Sequence, residues 1–125
     1  MKNDDHKWDN KHPTAQMLGR WQPWHAGHQK LFEEILKKTG QVNIMVRDVK
    51  DVGDNPFDFD TVKKNIEEAL TKYEGHFKIT LVPNITNICY GRGVGYKIEE
   101  EVLDEATQEI SATKIREQMR KDGEL

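Results

Sequence analysis

The apolar positions of this chain fall into blocks whose period alternates between strand and helix. Residues 15–19, "AQMLG", form a short run that predicts a strand. From about Ala26 to Lys38 the spacing predicts a helix, with Leu31, Phe32, Ile35 and Leu36 on one stripe and Glu33, Glu34, Lys37 and Lys38 off it; Gly40 is its stop signal. "VNIMV" (42–46) is nearly all apolar, as expected for a strand covered on both faces. A polar loop through "GDNPFD" leads to a second helix, with Asp58 or Asp60 as N-cap and Val62, Ile66, Ala69, Leu70 and Tyr73 as its stripe. "FKITLV" (77–82) predicts a third strand, ended by Pro83.

Strand, helix, strand, helix, strand is the repeat of a parallel sheet with right-handed crossovers. Two further strand candidates follow, "NICY" (87–90) and "YKIEEEVL" (96–103), separated by the glycine-rich "GRGVG". A last helix opens at "SATKIREQMRK", with Ser111 as N-cap and Ile115 and Met119 facing inward. The expected fold class is α/β: a Rossmann-like open parallel sheet with helices on both faces, three layers in all. In such folds ligands sit at the carboxyl ends of the strands, where loops run into helix N-termini. Residues 1–13 are expected to be a polar, flexible tail in which His6 and His12 do nothing specific, and 14–125 a single domain.

Composition narrows the function classes. With 35% hydrophobic and 33% charged residues over 125 positions, the chain describes one soluble domain. No apolar run reaches membrane-spanning length, and the polar start lacks the apolar centre of a signal peptide. Cys89 is the only cysteine, so no intrachain disulfide forms and a reducing, cytoplasmic setting is favoured; in "NITNICY" it reads as a packed small residue. Nineteen basic against 22 acidic residues give a net charge of −3, which argues against a nucleic-acid partner. Phosphate would have to be handled by local charge.

Two clusters supply such charge. In "GRWQPWHAGHQ" (19–29), Gly19 at a strand end permits close approach of a ligand, Pro23 stiffens the turn, and Gly27 clears the first helical turn. His25 and His28 share a helix face beside unpaired backbone N–H groups, an arrangement suited to a phosphate. Read instead as zinc ligands they lack a third partner, and ordinary surface histidines are the plain alternative. Trp21 and Trp24 read as wall and core residues. In "ISATKIR" (110–116), Ser111 and Thr113 supply hydroxyls at a helix start, with Lys114 and Arg116 just behind; a capped, charged surface helix is its plain alternative. "GRGVG" is a weak phosphate signal, since turns use the same residues.

"GRWQPWHAGH" followed late in the chain by "ISATKIR" resembles the HIGH-motif nucleotidyltransferase (cytidylyltransferase-like) superfamily, and the leader loop is closest to its archaeal-type nicotinamide mononucleotide adenylyltransferases. "NPFDFDTVKKNIEEAL" resembles the segment after the second strand of that group, so the resemblance runs from Gly19 to about Met119. It implies catalytic roles for His25, His28 and Arg116, with the histidines on the nucleotide's phosphates and on the transition state at the α-phosphorus. Gly19, Arg20, Trp21, Gln22 and Gly27 would form the phosphate loop, and Ser111, Thr113 and Arg116 would hold the β- and γ-phosphates. Mg²⁺ would bind through the nucleotide. The reaction implied is transfer of a nucleoside monophosphate, AMP before CMP, from a nucleoside triphosphate to a small phosphate- or sulfate-type acceptor, with release of pyrophosphate. The alternatives are a CTP-using cytidylyltransferase and a non-catalytic nucleotide-binding module of the same fold.

The chain departs from the archaeal-type enzymes between Pro83 and Ile110, which is short, and at "VRDVKD" (46–51), where they carry small residues. Arg47, Arg92 and Lys97 are the candidates for the acceptor's anion; for Arg47 a solvated loop is the plain alternative. Homo-oligomers are frequent in the superfamily, and Phe57 and Phe59 are candidates either for a subunit contact or for covering the start of the second helix.

Overall fold

The computed structural model describes residues 6–92, 95–108 and 110–125. Residues 1–5 of the expected tail, and Gly93 and Val94 of "GRGVG", lie outside the described residues.

The elements are β1 (Ala15–Gly19), α1 (Ala26–Thr39), β2 (Val42–Arg47), α2 (Phe59–Ala69), a single 3₁₀ turn at Thr71–Tyr73, β3 (Phe77–Val82), α3 (Glu105–Gln108) and α4 (Ala112–Lys121). The protein is α/β, with a three-stranded parallel sheet in the order β1-β2-β3. Register is set by Met17 opposite Ile44 and Ile44 opposite Ile79. Gly19 pairs with Val46, so the ends of β1 and β2 share one edge of the sheet.

The helix signals act as expected. Gly40 ends α1 with φ +76°, a left-handed conformation that glycine adopts without a Cβ penalty, and its N–H caps the Leu36 carbonyl. Asp58 caps α2 by accepting from the Thr61 N–H at 2.9 Å. One core joins Met17, Val42, Ile44 and Val46 of the sheet to Phe32, Ile35 and Leu36 of α1 and Val62, Ile66 and Leu70 at α2. Phe57 and Phe59 are half-buried and pack against it. Ala69 departs from the expected stripe and is exposed. β2 is not fully covered on both faces: Val42, Ile44 and Val46 are buried, whereas Asn43, Met45 and Arg47, pointing the other way, are half-buried.

Three expectations are corrected. First, the tail is held from His6 onward. Gln41, fully buried at the start of β2, donates to the Asp9 carbonyl (2.9 Å) and the Thr14 hydroxyl (2.7 Å) and accepts from the Asp9 N–H (3.1 Å). His6 stacks on His76 with ring centroids 4.4 Å apart, and His12 Nε2 donates to the Thr39 carbonyl at 2.8 Å. A buried amide needs partners, and the tail supplies them. Second, the strand candidates at 87–90 and 96–103 are irregular. Ile88, Tyr90, Tyr96, Ile98 and Val102 are exposed, and so is Cys89, which is therefore not a packed core residue. Alternation alone does not make a strand without a neighbour to pair with. Third, the innermost residue of α4 is Arg116, while Ile115 and Met119 are half-buried. No helix among the described residues is long and apolar enough to cross a membrane.

Candidate functional site

The turn from β1 into α1 is built from aromatic rings. Trp21 has φ +56°, an uncommon conformation for a bulky residue, and is held there by burial and by donation from its Nε1 to the Met45 carbonyl at 3.2 Å. The Gln22–Pro23 peptide is cis. A Cβ on Gly19 would lie 2.6 Å from a ring carbon of Trp21. That position is glycine because the indole lies across it, and the expected close approach of a ligand is taken up by the protein's own side chain. Gly27 is similar: a Cβ there would meet His25 Cε1 at 2.9 Å and the Thr107 carbonyl of α3 at 3.5 Å.

His25 is the N-cap of α1. Its Nδ1 accepts from the N–H groups of Gly27 (3.0 Å) and His28 (3.3 Å), while His28 Nδ1 accepts from the His25 N–H (3.3 Å). The pair thus forms a capping box made of imidazoles, a role usually filled by Ser or Thr with Glu. Acceptance at Nδ1 requires the Nε2–H tautomer in both neutral rings. The rings stack at 3.6 Å with a 16° interplanar angle, and His28 is enclosed by Trp21 at 4.7 Å and Trp24 at 5.6 Å. Neither Nε2 has a hydrogen-bond partner among the described residues. Burial, with the His25 charge second, pushes the His28 imidazole down to about 3; burial also lowers His25. The site therefore presents two neutral N–H donors, fixed side by side at the positive end of a helix.

Trp24 is braced along α1. Its Nε1 donates to Gln29 at 3.3 Å, Gln29 donates to Glu33 at 3.5 Å, and the Tyr73 hydroxyl donates to Glu33 at 2.6 Å. Burial and the Glu33 carboxylate push the Tyr73 phenol up to about 12. A groove of about 420 Å³ beside this chain, lined by Lys30, Glu33, Lys37, Lys72 and Tyr73, does not include the histidines.

Arg116 joins the two sequence clusters. Its Nη1 donates to the Gln22 carbonyl, its Nη2 to the Thr113 hydroxyl at 3.4 Å, and its Nε to Asp54 at 2.9 Å. Ser111 caps α4 by accepting from the Lys114 N–H at 3.4 Å. Gln22 is buried, and its amide is committed to the backbone of Phe57, accepting from the N–H at 2.8 Å and donating to the carbonyl at 2.9 Å. Its side chain builds the loop. Arg20 is exposed, with a 3.5 Å contact to Asn55. Sequence reasoning missed Asp54, Asn55 and Arg120, which brace this region; "GDNPFD" marks a turn but nothing in it names an arginine partner.

Of the acceptor candidates, Arg47 stands at the same sheet edge as Gly19. Its Nη2 donates to Asn84 at 2.8 Å, and its Nε is buried with no partner among the described residues. Lys97 is elsewhere. Glu99 and Glu101 are gripped by Lys38 in the last turn of α1, and a helix of this length spans roughly 20 Å, so Lys97 lies by the end remote from the histidines. Arg92 is exposed, its carbonyl accepting from the Tyr96 hydroxyl at 3.3 Å.

The donors at the histidines are the two imidazole Nε2–H groups, with the Arg116 guanidinium at the nearby Gln22 carbonyl; the backbone N–H groups of His25, Gly27 and His28, expected to be unpaired, are instead taken up by the Nδ1 atoms of the two rings. The one carboxylate that reaches Arg116 there, Asp54, is engaged with arginines. Such a set suits an anion and supplies no oxygen cage for Mg²⁺. Among the described residues, no group of three or more His, Cys, Asp or Glu could hold a metal ion. A scan against protein-family models finds no match, and a search of curated proteins finds none either.

Proposed function

We propose that this protein is a nucleotidyltransferase of the HIGH-motif type, moving a nucleoside monophosphate, AMP before CMP, from a nucleoside triphosphate to a small anionic acceptor. On this reading the fold is the Rossmann-like, three-layer class and the protein works in the cytoplasm. The observation that carries the proposal is the pair of stacked, neutral imidazoles whose Nδ1 atoms are fixed by a helix start, leaving two Nε2–H donors for phosphate oxygens. Arg116, brought to the Gln22 carbonyl, adds a cation from the far end of the chain.

The chemistry is one in-line displacement. An oxygen of the acceptor attacks the α-phosphorus, the bond to the β-phosphate oxygen breaks, and pyrophosphate leaves with the electron pair. The protein holds the phosphates in line and donates hydrogen bonds to the oxygens where charge builds, with no covalent intermediate. Any Mg²⁺ enters on the triphosphate, and no step of this chain's residues runs through it. On this reading Arg47, at the same sheet edge as Gly19, would meet the acceptor's anion.

A second reading, a nucleotide-binding module without catalysis, is favoured by one observation: Arg116 is already engaged on three sides by protein groups. Thermal unfolding with ATP, CTP, GTP or UTP, each with Mg²⁺, tests both. A nucleotide at about a hundred times its dissociation constant adds about 2.7 kcal/mol to the native state. A shift with one nucleotide, followed by pyrophosphate release on addition of acceptor mixtures, supports the enzyme. A shift without release supports the module, and no shift with any nucleotide refutes both.

A further inference from the structure

Asp54 lies in the loop between β2 and α2, and its two carboxylate oxygens are divided between two guanidinium groups of α4. Oδ2 accepts from Arg116 Nε at 2.9 Å and Oδ1 from Arg120 Nη2 at 2.7 Å. Arginines four apart on a helix stand one turn apart on the same face. The three side chains differ in exposure: Arg116 is 4% exposed, Asp54 45% and Arg120 48%. A guanidinium withdrawn from water requires a counter-charge, and among the described residues Asp54 is the carboxylate that supplies it. Hydrogen bonds from Arg120 and Arg116, with the charges of both, hold the Asp54 carboxyl below its usual range.

One carboxylate spread over two guanidiniums is the pattern that phosphoryl oxygens make with paired arginines. The place is apt, because Arg116 also donates to the carbonyl of Gln22, in the loop that ends in His25. The Asp54 carboxylate faces water on its other side, so it can leave without being buried unpaired.

We infer that Arg116 and Arg120 form a two-pronged phosphoryl site, and that Asp54 fills it as an internal counter-ion which an incoming polyphosphate displaces. The class of ligand rests on the nucleotide reading above; the displacement rests on the carboxylate–guanidinium geometry.

The test is calorimetric titration of inorganic tripolyphosphate, without divalent metal, into the wild-type protein, Asp54→Asn and Arg120→Gln. Asp54→Asn is expected to bind roughly five-fold tighter, the scale of one exposed ion pair given up, and Arg120→Gln weaker by a similar factor. In the wild type, hydrogen exchange at the amides of 51–55 is expected to rise on saturation, since Asp51 N–H to Asn55 carbonyl (3.0 Å) is part of the loop that Asp54 anchors. That readout serves if Asp54→Asn does not fold. Equal affinities with unchanged exchange overturn the displacement and leave the nucleotide reading standing. Nucleotide binding with no tripolyphosphate binding overturns the arginine pair alone. No binding of tripolyphosphate or of any nucleoside triphosphate overturns both.

Discussion

Acidification from about pH 6 to pH 4 loads the His25–His28 pair directly. In the native protein, proton uptake at His28 must break acceptance of the His25 N–H at Nδ1 and place a cation in a partly buried ring beside His25, at the positive end of α1. The imidazole is accordingly held down to about 3, against 6.5 in the unfolded chain. Between these values the unfolded state carries a proton that the native state lacks, so stability falls as pH falls. The contribution of His28 is fully present above about 6.5 and is lost as the pH drops toward 3. One proton corresponds to about 1.4 kcal/mol per pH unit, or roughly 5 °C in Tm per pH unit for a domain of this size. The comparison is His28→Asn, which keeps an acceptor oxygen near the position of Nδ1 and removes the titration. Urea unfolding of both proteins at about pH 6, 5 and 4 should give a wild-type curve steeper by close to one proton's slope. Parallel curves would refute the reasoning, because His28 would then titrate alike in both states.

Three further outcomes follow from packing. Gly19→Ala places a methyl group 2.6 Å from a buried ring carbon of Trp21; it should cost about 1–3 kcal/mol and alter the near-ultraviolet circular dichroism, and an unchanged Tm and spectrum would mean the indole is not seated there. Gln22→Ala leaves the N–H and carbonyl of Phe57 without their side-chain partner and should lower stability by about 1–3 kcal/mol, readable as a shifted urea midpoint with unchanged slope. Deleting residues 1–12 removes the Asp9 and His6 contacts of Gln41 and should cost about 1–3 kcal/mol; an unshifted midpoint would restore the picture of a free tail.

The sequence by itself determined the local elements up to Pro83. The stripe expected for the second helix overran its end, since α2 stops at Ala69 and Tyr73 lies in the following 3₁₀ turn. Phe32, Ile35 and Leu36 on one stripe, Gly40 at a helix end and Asp58 at a helix start are decided by periodicity and by backbone capping within a few residues. The placing of His25 and His28 at a helix start was legible for the same reason. Their tautomers were not, because these depend on which backbone N–H groups the folded cap offers to Nδ1.

What only tertiary structure decided concerns partners distant along the chain. Gln41 draws the tail onto the sheet, Trp21 occupies the space over Gly19, and Arg116 turns inward to Gln22 and Asp54 although a helical wheel puts Ile115 and Met119 inside. The segments at 87–90 and 96–103 show the converse: strand-like alternation is a local property, but a strand exists only where a neighbouring backbone accepts its hydrogen bonds, and these segments find none among the described residues. A polar side chain's role is set by whichever group folding brings within about 3 Å of it, and sequence spacing does not carry that distance.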